Sequence, residues 1–298
     1  MKSYLPTPLC AVLQQILRPG MSHGPGRRNR KRSRPSQNAA AFDGDGTLWA
    51  GDVGEGFFQF LLDRGYYDGT PTIRKSWKRY QEGSFDKNFT GEDFYEMMVT
   101  GLAGHKINKI RTLADEYFQL HAQRIFRPMV ALVQALKLAK VDVYVVSGSP
   151  LWVVEAGARY FNIPREKVLG LEPVVDAKGV IQRRVKRVKV GTESIKANPW
   201  NDNKPKLLRP KLKGKKLVLA AGNGPGDWGL LELVAPNRRV FINHKGETSA
   251  KNDMLDHARK NKWIILDYNF EHEALAGMGV PDWTSIPQTQ PLAPKEDF

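Results

Sequence analysis

Four short segments of this 298-residue chain carry side chains that can do chemistry together. In Asp43-Gly44-Asp45-Gly46-Thr47-Leu48-Trp49, two carboxylates stand two residues apart, directly after the apolar run 39–42. At a loop start such a pair, with its main-chain carbonyls, can surround one small ion, and oxygen ligands suit Mg²⁺. Ser147-Gly148-Ser149-Pro150 offers a hydroxyl and backbone N–H groups. Asn203-Lys204-Pro205-Lys206 places Pro205 at an expected helix start with a cation just before it. Gly222-Asn223-Gly224-Pro225-Gly226-Asp227 is a glycine-rich turn bearing an amide and a carboxylate. A hydroxyl, N–H groups and a lysine are donors suited to a phosphoryl group.

These groups can act together only if the chain brings them to one place. Residues 39–42 and 141–146 read as strands with polar loops at their carboxyl ends, and 217–221, 240–243 and 263–266 as further short strands. Helical periodicity runs through 52–126: Phe57, Phe58, Leu61 and Leu62 share one face, and so do Ile107, Ile110, Leu113, Ala114, Tyr117 and Leu120. Further helices are expected over 128–139, 151–161 and 205–212, and a hairpin-like turn at Asp176-Ala177-Lys178-Gly179. Strands alternating with helices imply an α/β fold, a doubly wound parallel sheet covered on both faces. In such sheets ligands sit outside the carboxyl ends of the strands, so the polar tips converge. The expected organisation is a disordered basic tail over 1–37, an α/β core from 38–51 and 127–270, a small all-helical module over 52–126, and a C-terminal tail over 271–298.

The four signatures, in this order and with a helical insert after the first, resemble those of the haloacid dehalogenase-like hydrolases, in the branch similar to phosphoserine phosphatases. The likeness spans residues 39–270. That family's motifs are Asp-x-Asp-x-Thr after an apolar strand, a Ser or Thr ending a strand, a Lys, and an acidic Gly-Asp turn. They fall here on Asp43, Asp45 and Thr47, on Ser147, on Lys204, and on 222–227. The resemblance implies a Rossmann-like hydrolase core with the insert as a cap, and a Mg²⁺-dependent phosphatase acting on a small phosphorylated metabolite. It implies that Asp43 forms an aspartyl-phosphate, splitting one hard displacement into two. Asp45 would protonate the leaving alcohol and then deprotonate the attacking water. Ser147, the Gly148 N–H and Lys204 would hold phosphoryl oxygens. Mg²⁺ would sit on Asp43, the Asp45 carbonyl and the loop of Asn223 and Asp227. Thr47, Asp52 and Glu55 are expected at the substrate, Asp52 standing where phosphoserine phosphatases place the acid that meets the substrate amine. Phosphoserine is then one candidate among small phosphomonoesters.

One departure is visible: the family usually has Asp directly after the first glycine of the fourth motif, and this chain has Asn223. An amide oxygen still ligates Mg²⁺, but a negative charge is lost, so weaker metal binding or a new division of roles between Asn223 and Asp227 is expected. Structural readings compete throughout. The two aspartates could form Asx turns, Ser147 could be a turn residue, and Lys206 could replace Lys204 as the phosphate cation. Trp49, Phe57, Phe58 and Trp77 read as packing.

The formal charge of +15 divides unevenly. Residues 1–40 hold eight basic side chains and no acid, or +8; residues 183–216 hold thirteen against two acids, or +11; the remainder is 15 − 8 − 11 = −4. A near-neutral body with two basic segments is thus expected, not an evenly basic coat for nucleic acid. The first segment reads as a solvated arm. Contact with nucleic acid or an anionic surface, or a role as a targeting presequence, are its alternatives. The second reads as the surroundings of a phosphate pocket. The rival to the enzyme is a weakly catalytic or non-catalytic binding protein on the same scaffold, contacting nucleic acid or an anionic partner through these segments. No run nears the roughly 20 apolar residues of a membrane span. The single cysteine, Cys10, permits no internal disulfide, which fits a reducing, cytoplasmic location.

Overall fold

The computed structural model describes residues 37–67, 71–244 and 249–268, together with Cys10, Leu13 and Gln14. Most of the expected N-terminal tail and all of 271–298 lie outside the described residues. Leu13 departs from a wholly detached tail, being buried in the main apolar cluster.

Six strands form one parallel sheet: β1 (Asn38–Phe42), β2 (Val141–Pro150), β3 (Val168–Leu171), β8 (Lys216–Gly222), β9 (Arg239–His244) and β10 (Ile264–Tyr268). Their spatial order is β10-β9-β8-β1-β2-β3. The chain leaves β1 toward β2 and β3, then returns to β8 on the other side, so the crevice of a doubly wound sheet opens beside β1. Alternation along β1 shows why both faces are covered. Ala40 and Phe42 enter one apolar cluster, while Ala39 and Ala41 enter another on the opposite face.

The insert after β1 holds four helices: α1 (Val53–Asp63), α2 (Pro71–Gln81), α3 (Gly91–Thr100) and α4 (Ile107–Leu120). Their starts are chemically marked. The Asp52 side chain accepts from the Glu55 N–H at the head of α1, and Thr90 and Asp93 form a capping box on α3. The buried faces of these helices share one continuous apolar cluster with β1 and β2. Helices α5 (Arg127–Leu138), α6 (Leu151–Arg159), α7 (Asn203–Leu212), α8 (Trp228–Leu231) and α9 (Ser249–Lys260) complete the layers.

Sequence patterning finds the first of two hairpins and misses β3 and the second. The first hairpin joins β4 (Pro173–Val175) and β5 (Ile181–Val185) around the expected Asp176 turn. It is stitched to the helical insert by Gly104 N–H to Ile181 O and Ile107 N–H to Gly179 O. The second, β6 (Arg187–Val190) with β7 (Glu193–Lys196), falls inside the basic segment. Its basic side chains Arg187 and Lys189 are exposed, while Val188 and Ile195 pack toward Leu207 and Leu208 of α7. A cationic strand with alternating valines is legible only once its apolar partner is known. Among the described residues, no helix is long and apolar enough to cross a membrane.

Trp49 links core to loop. It is fully buried and packs edge-on against Phe118 of α4, with centroids 5.3 Å apart. Truncating Phe118 leaves a cavity under the loop, so Phe118→Ala is expected to lose about 3–5 kcal/mol of stability. Leu138→Ala, at an 85% exposed position, should change it by less than about 0.5 kcal/mol. Urea unfolding of the two variants checks the contrast.

Candidate active site

The loop after β1 is fixed on both sides. The Asp43 N–H donates to Ala221 O of β8 (2.9 Å), and Gly44 O accepts the N–H groups of Thr47 (3.1 Å) and Leu48 (2.8 Å). Gly46 sits at φ +69°, and a Cβ there would stand 2.2 Å from Asn223 Nδ2. Only glycine serves a position with both constraints. This tight turn aims Asp43 and Asp45 in different directions.

Asp43 faces a cation. Its Oδ1 lies 2.5 Å from Lys204 Nζ, its Oδ2 accepts from Thr47 Oγ1 (3.3 Å), and the residue is 5% exposed. The same ammonium lies 2.5 Å from Asp227 Oδ1, and Asp227 Oδ2 accepts the N–H groups of Asn223 (2.9 Å) and Gly224 (3.1 Å). Burial pushes the Asp43 carboxyl up to about 7; repulsion from Asp227 adds to this and Lys204 opposes it. Burial works against the charge on Lys204, but Asp227 and Asp43 together outweigh it and hold the ammonium well above its usual range.

Asp45 has a different environment. Oδ1 accepts from Trp49 Nε1 (2.9 Å) and the Val53 N–H (2.8 Å); Oδ2 accepts from Ser147 Oγ (2.9 Å) and Ser149 Oγ (2.8 Å). Asp52 Oδ1 caps α1 through the Glu55 N–H, and its Oδ2 accepts from Tyr95 Oη at 2.5 Å. Glu55 accepts from Tyr80 Oη (2.7 Å). Burial, then repulsion from Asp45 and Glu55, pushes the Asp52 carboxyl well up. Burial raises Glu55 too, with the Tyr80 hydroxyl opposing.

A cavity of about 770 Å³ opens over these groups, within the size range of small-ligand sites. Of the residues expected from sequence, Asp43, Asp45, Asp52, Gly148, Lys204, Asn223 and Asp227 line it. Thr47 and Ser147 are fully buried beneath it, holding Asp43 and Asp45, while Glu55 faces Tyr80. Lys206 is exposed outside it, and Lys204 is the one cation of the thirteen in 183–216 that reaches it. The rest of the segment is therefore not the lining of the pocket. Ser149, Tyr95, Arg124, Trp200 and His244 belong to the site but escape sequence reasoning. Two signals existed: Ser149 follows Ser147 by two residues, and His244 ends the strand after β8. The other three come from distant elements with no local mark.

The donors available to a metal are the carboxylates of Asp43 and Asp227 and the Asn223 amide oxygen, which lies 3.4 Å from Thr47 Oγ1. This all-oxygen set fits a hard divalent cation with one charge fewer than three carboxylates would give. Among the described residues no group of three or more His, Cys, Asp or Glu is placed to hold a metal.

Residues 40–232 match the model of the haloacid dehalogenase-like hydrolase family, and the chain belongs to that family. A search of curated proteins finds no match. Among solved structures, a protein of unknown function from Bordetella pertussis Tohama I aligns with a TM-score of 0.60 at 20% identity, covering 78% of this chain and 99% of that one. One from Anaerococcus prevotii DSM 20548 gives 0.60 at 15%, covering 89% and 94%. Cytosolic 5'-nucleotidase IIIB bound to cytidine gives 0.54 at 11%, covering 89% and 88%. At these identities the likeness is one of fold.

The raised Asp43 carboxyl has a stability consequence in metal-free protein. Between its ordinary value of 3.8 and about 7, the folded state binds more protons than the unfolded one. Stability therefore falls as pH rises through that window. Melting temperature in EDTA is expected to drop by a few degrees from pH 5 to pH 8, and Asp43→Asn to flatten the drop.

Proposed function

We propose that this hydrolase is a Mg²⁺-dependent phosphomonoesterase that works through an aspartyl-phosphate on Asp43. The observation that carries the reading is the division between two carboxylates of one turn. Asp43 is bonded to a buried ammonium, and Asp45 is held by two serine hydroxyls at the tip of β2. Lys204, bonded also to Asp227, stands where it can meet a phosphoryl oxygen beside Asp43.

The chemistry balances in two displacements. An Asp43 oxygen attacks phosphorus, the ester P–O bond breaks, and the departing alkoxide takes a proton from Asp45. Water then attacks the aspartyl-phosphate with Asp45 accepting its proton, and the bond to Asp43 breaks to release inorganic phosphate. When bound, Mg²⁺ on Asp43, the Asp45 carbonyl, Asn223 and Asp227 would offset repulsion between carboxylate and phosphate dianion. Ser147 and Ser149 orient Asp45. The Gly148 N–H is a donor for a phosphoryl oxygen at the cavity wall. Asp52, with its oxygens engaged by Glu55 N–H and Tyr95, is less suited to grip a substrate amine than its sequence position implies.

With Mg²⁺ the protein is expected to release phosphate from p-nitrophenyl phosphate, and Asp43→Asn or excess EDTA to reduce the rate at least about 10³-fold. No turnover across a broad phosphomonoester panel with Mg²⁺ would sink the reading. A second outcome concerns the missing charge: Asn223→Asp is expected to lower the Mg²⁺ concentration for half-maximal rate several-fold, read from a metal titration.

A further inference from the structure

Charge pairing around the cavity leaves one cation over. Lys204 is bonded to Asp43 and Asp227. Asp45 has four donors on its two oxygens, Asp52 two, and Glu55 the Tyr80 hydroxyl. None of these carboxylates draws on Arg124, which lines the same cavity. Its guanidinium makes no ion pair and no hydrogen bond with the described residues.

Arg124 is held in place by its backbone. It ends a short 3₁₀ turn, Ala122–Arg124, and its carbonyl accepts from the Ala50 N–H at 2.8 Å. The next residue, Ile125, bridges Trp49, whose indole holds Asp45. The half-buried side chain therefore flanks the loop on the Asp45 side, and a Cβ on Gly51 would stand 3.4 Å from its Nη1. Its charge is felt by its neighbours. After burial it is the next influence on Tyr117, opposing the rise that Asp45 and Asp52 promote, and it lowers His121. Arg124, Asp45 and Asp52 thus lie near one hydroxyl. On the phosphatase reading, Asp45 marks where the leaving alcohol departs.

Building on that reading, we propose that Arg124 is a subsite for a second oxyanion on the substrate, carried by the leaving alcohol as a carboxylate or a further phosphate. A guanidinium presents a planar fork of N–H donors that matches either group, and such charge-assisted bonds are strong where solvent is limited. The substrate class is then a small phosphomonoester of an acidic alcohol, distinct from neutral sugars or simple alkyl phosphates.

The test uses full-length Asp43→Asn protein with Mg²⁺, so that ligands bind without turnover, and calorimetric titration of three two-carbon phosphate esters. 2-Phosphoglycolate and ethylene glycol bisphosphate carry the second oxyanion; ethyl phosphate does not. At least one of the first two is expected to bind about tenfold or more tightly than ethyl phosphate, and which of them does so identifies the oxyanion. Adding Arg124→Met should abolish the preference while leaving ethyl phosphate affinity within about threefold, which also reports an intact fold; Arg124→Lys should retain part of the preference. Equal affinity for all three ligands, or a preference that survives Arg124→Met, overturns the proposal. Turnover of the phosphomonoester panel by the unmodified protein is read separately. Its failure would remove the phosphatase reading while the binding comparison still decides the subsite.

Discussion

The interaction on which the site depends is the buried ammonium of Lys204 between Asp43 and Asp227. Each ion of this triad is 7% exposed or less at its side chain, and both contacts are 2.5 Å. Buried charges are costly unless paired, and removing one partner of such a set costs several kcal/mol. The triad joins three parts of the chain: the tip of β1, the first turn of α7 and the turn after β8. Those parts are far apart in sequence, with 161 residues from Asp43 to Lys204 and 23 more to Asp227. The β1–β8 pairing and the apolar packing of Leu207 and Leu208 bring them together. Hydrophobic burial on both sheet faces supplies the driving force, and the triad specifies where the tips must end.

Two carboxylates two residues apart would have similar character on a regular strand or in water. Here the turn between Gly44 and Gly46 separates them. Asp43 falls among charges in a desolvated site, and Asp45 among neutral hydroxyl, indole and amide donors. On the phosphomonoesterase reading, environments that differ in this way let one loop supply a nucleophile and a proton-transfer group. The helical insert contributes to the second environment, because the Val53 N–H that opens α1 donates to Asp45. Capping of α1 by Asp52 fixes that N–H. The insert thus contributes a donor to Asp45 and, through Tyr95, part of the cavity wall.

The sequence made much of this readable for a physical reason. Strand tips followed by Asp, Ser or Gly are local patterns, and the rule that such tips converge in a parallel sheet turns three local patterns into one site, to which the start of α7 adds Lys204. Five of the six strands and the helical character of 52–126 are legible from periodicity alone, whereas β3 is not. Illegible were contacts made by long side chains from elements with no polar signature of their own. Tyr95 lies on the buried face of α3 and reads as core, yet its hydroxyl meets Asp52. Trp200 follows Pro199 in a connecting segment and packs 4.7 Å from the Tyr95 ring. Thr47 and Ser147 carry the expected residue types but stand beneath the cavity, where they orient aspartates. The hairpin of β6 and β7 was hidden because lysine and arginine suppress its apparent hydrophobicity, although two of its side chains pack on α7.

The net charge takes on a more limited meaning in this setting. Twelve of the thirteen cations in 183–216 stand off the cavity, and several are exposed on β5, β6 and α7. At physiological ionic strength their field decays over about 8 Å, so they act on an anion's approach more than on its final position. Final position depends on the charges that line the cavity. Its lysine and arginine are Lys204, bonded to two carboxylates, and Arg124, half-buried and in no ion pair with the described residues. A phosphate arriving beside Lys204 must share it with Asp43 and Asp227, whereas an oxyanion reaching Arg124 meets an undivided cation. On the proposed reading, selectivity among phosphomonoesters rests on the end of the molecule remote from the phosphate, because the group common to all of them meets the same triad.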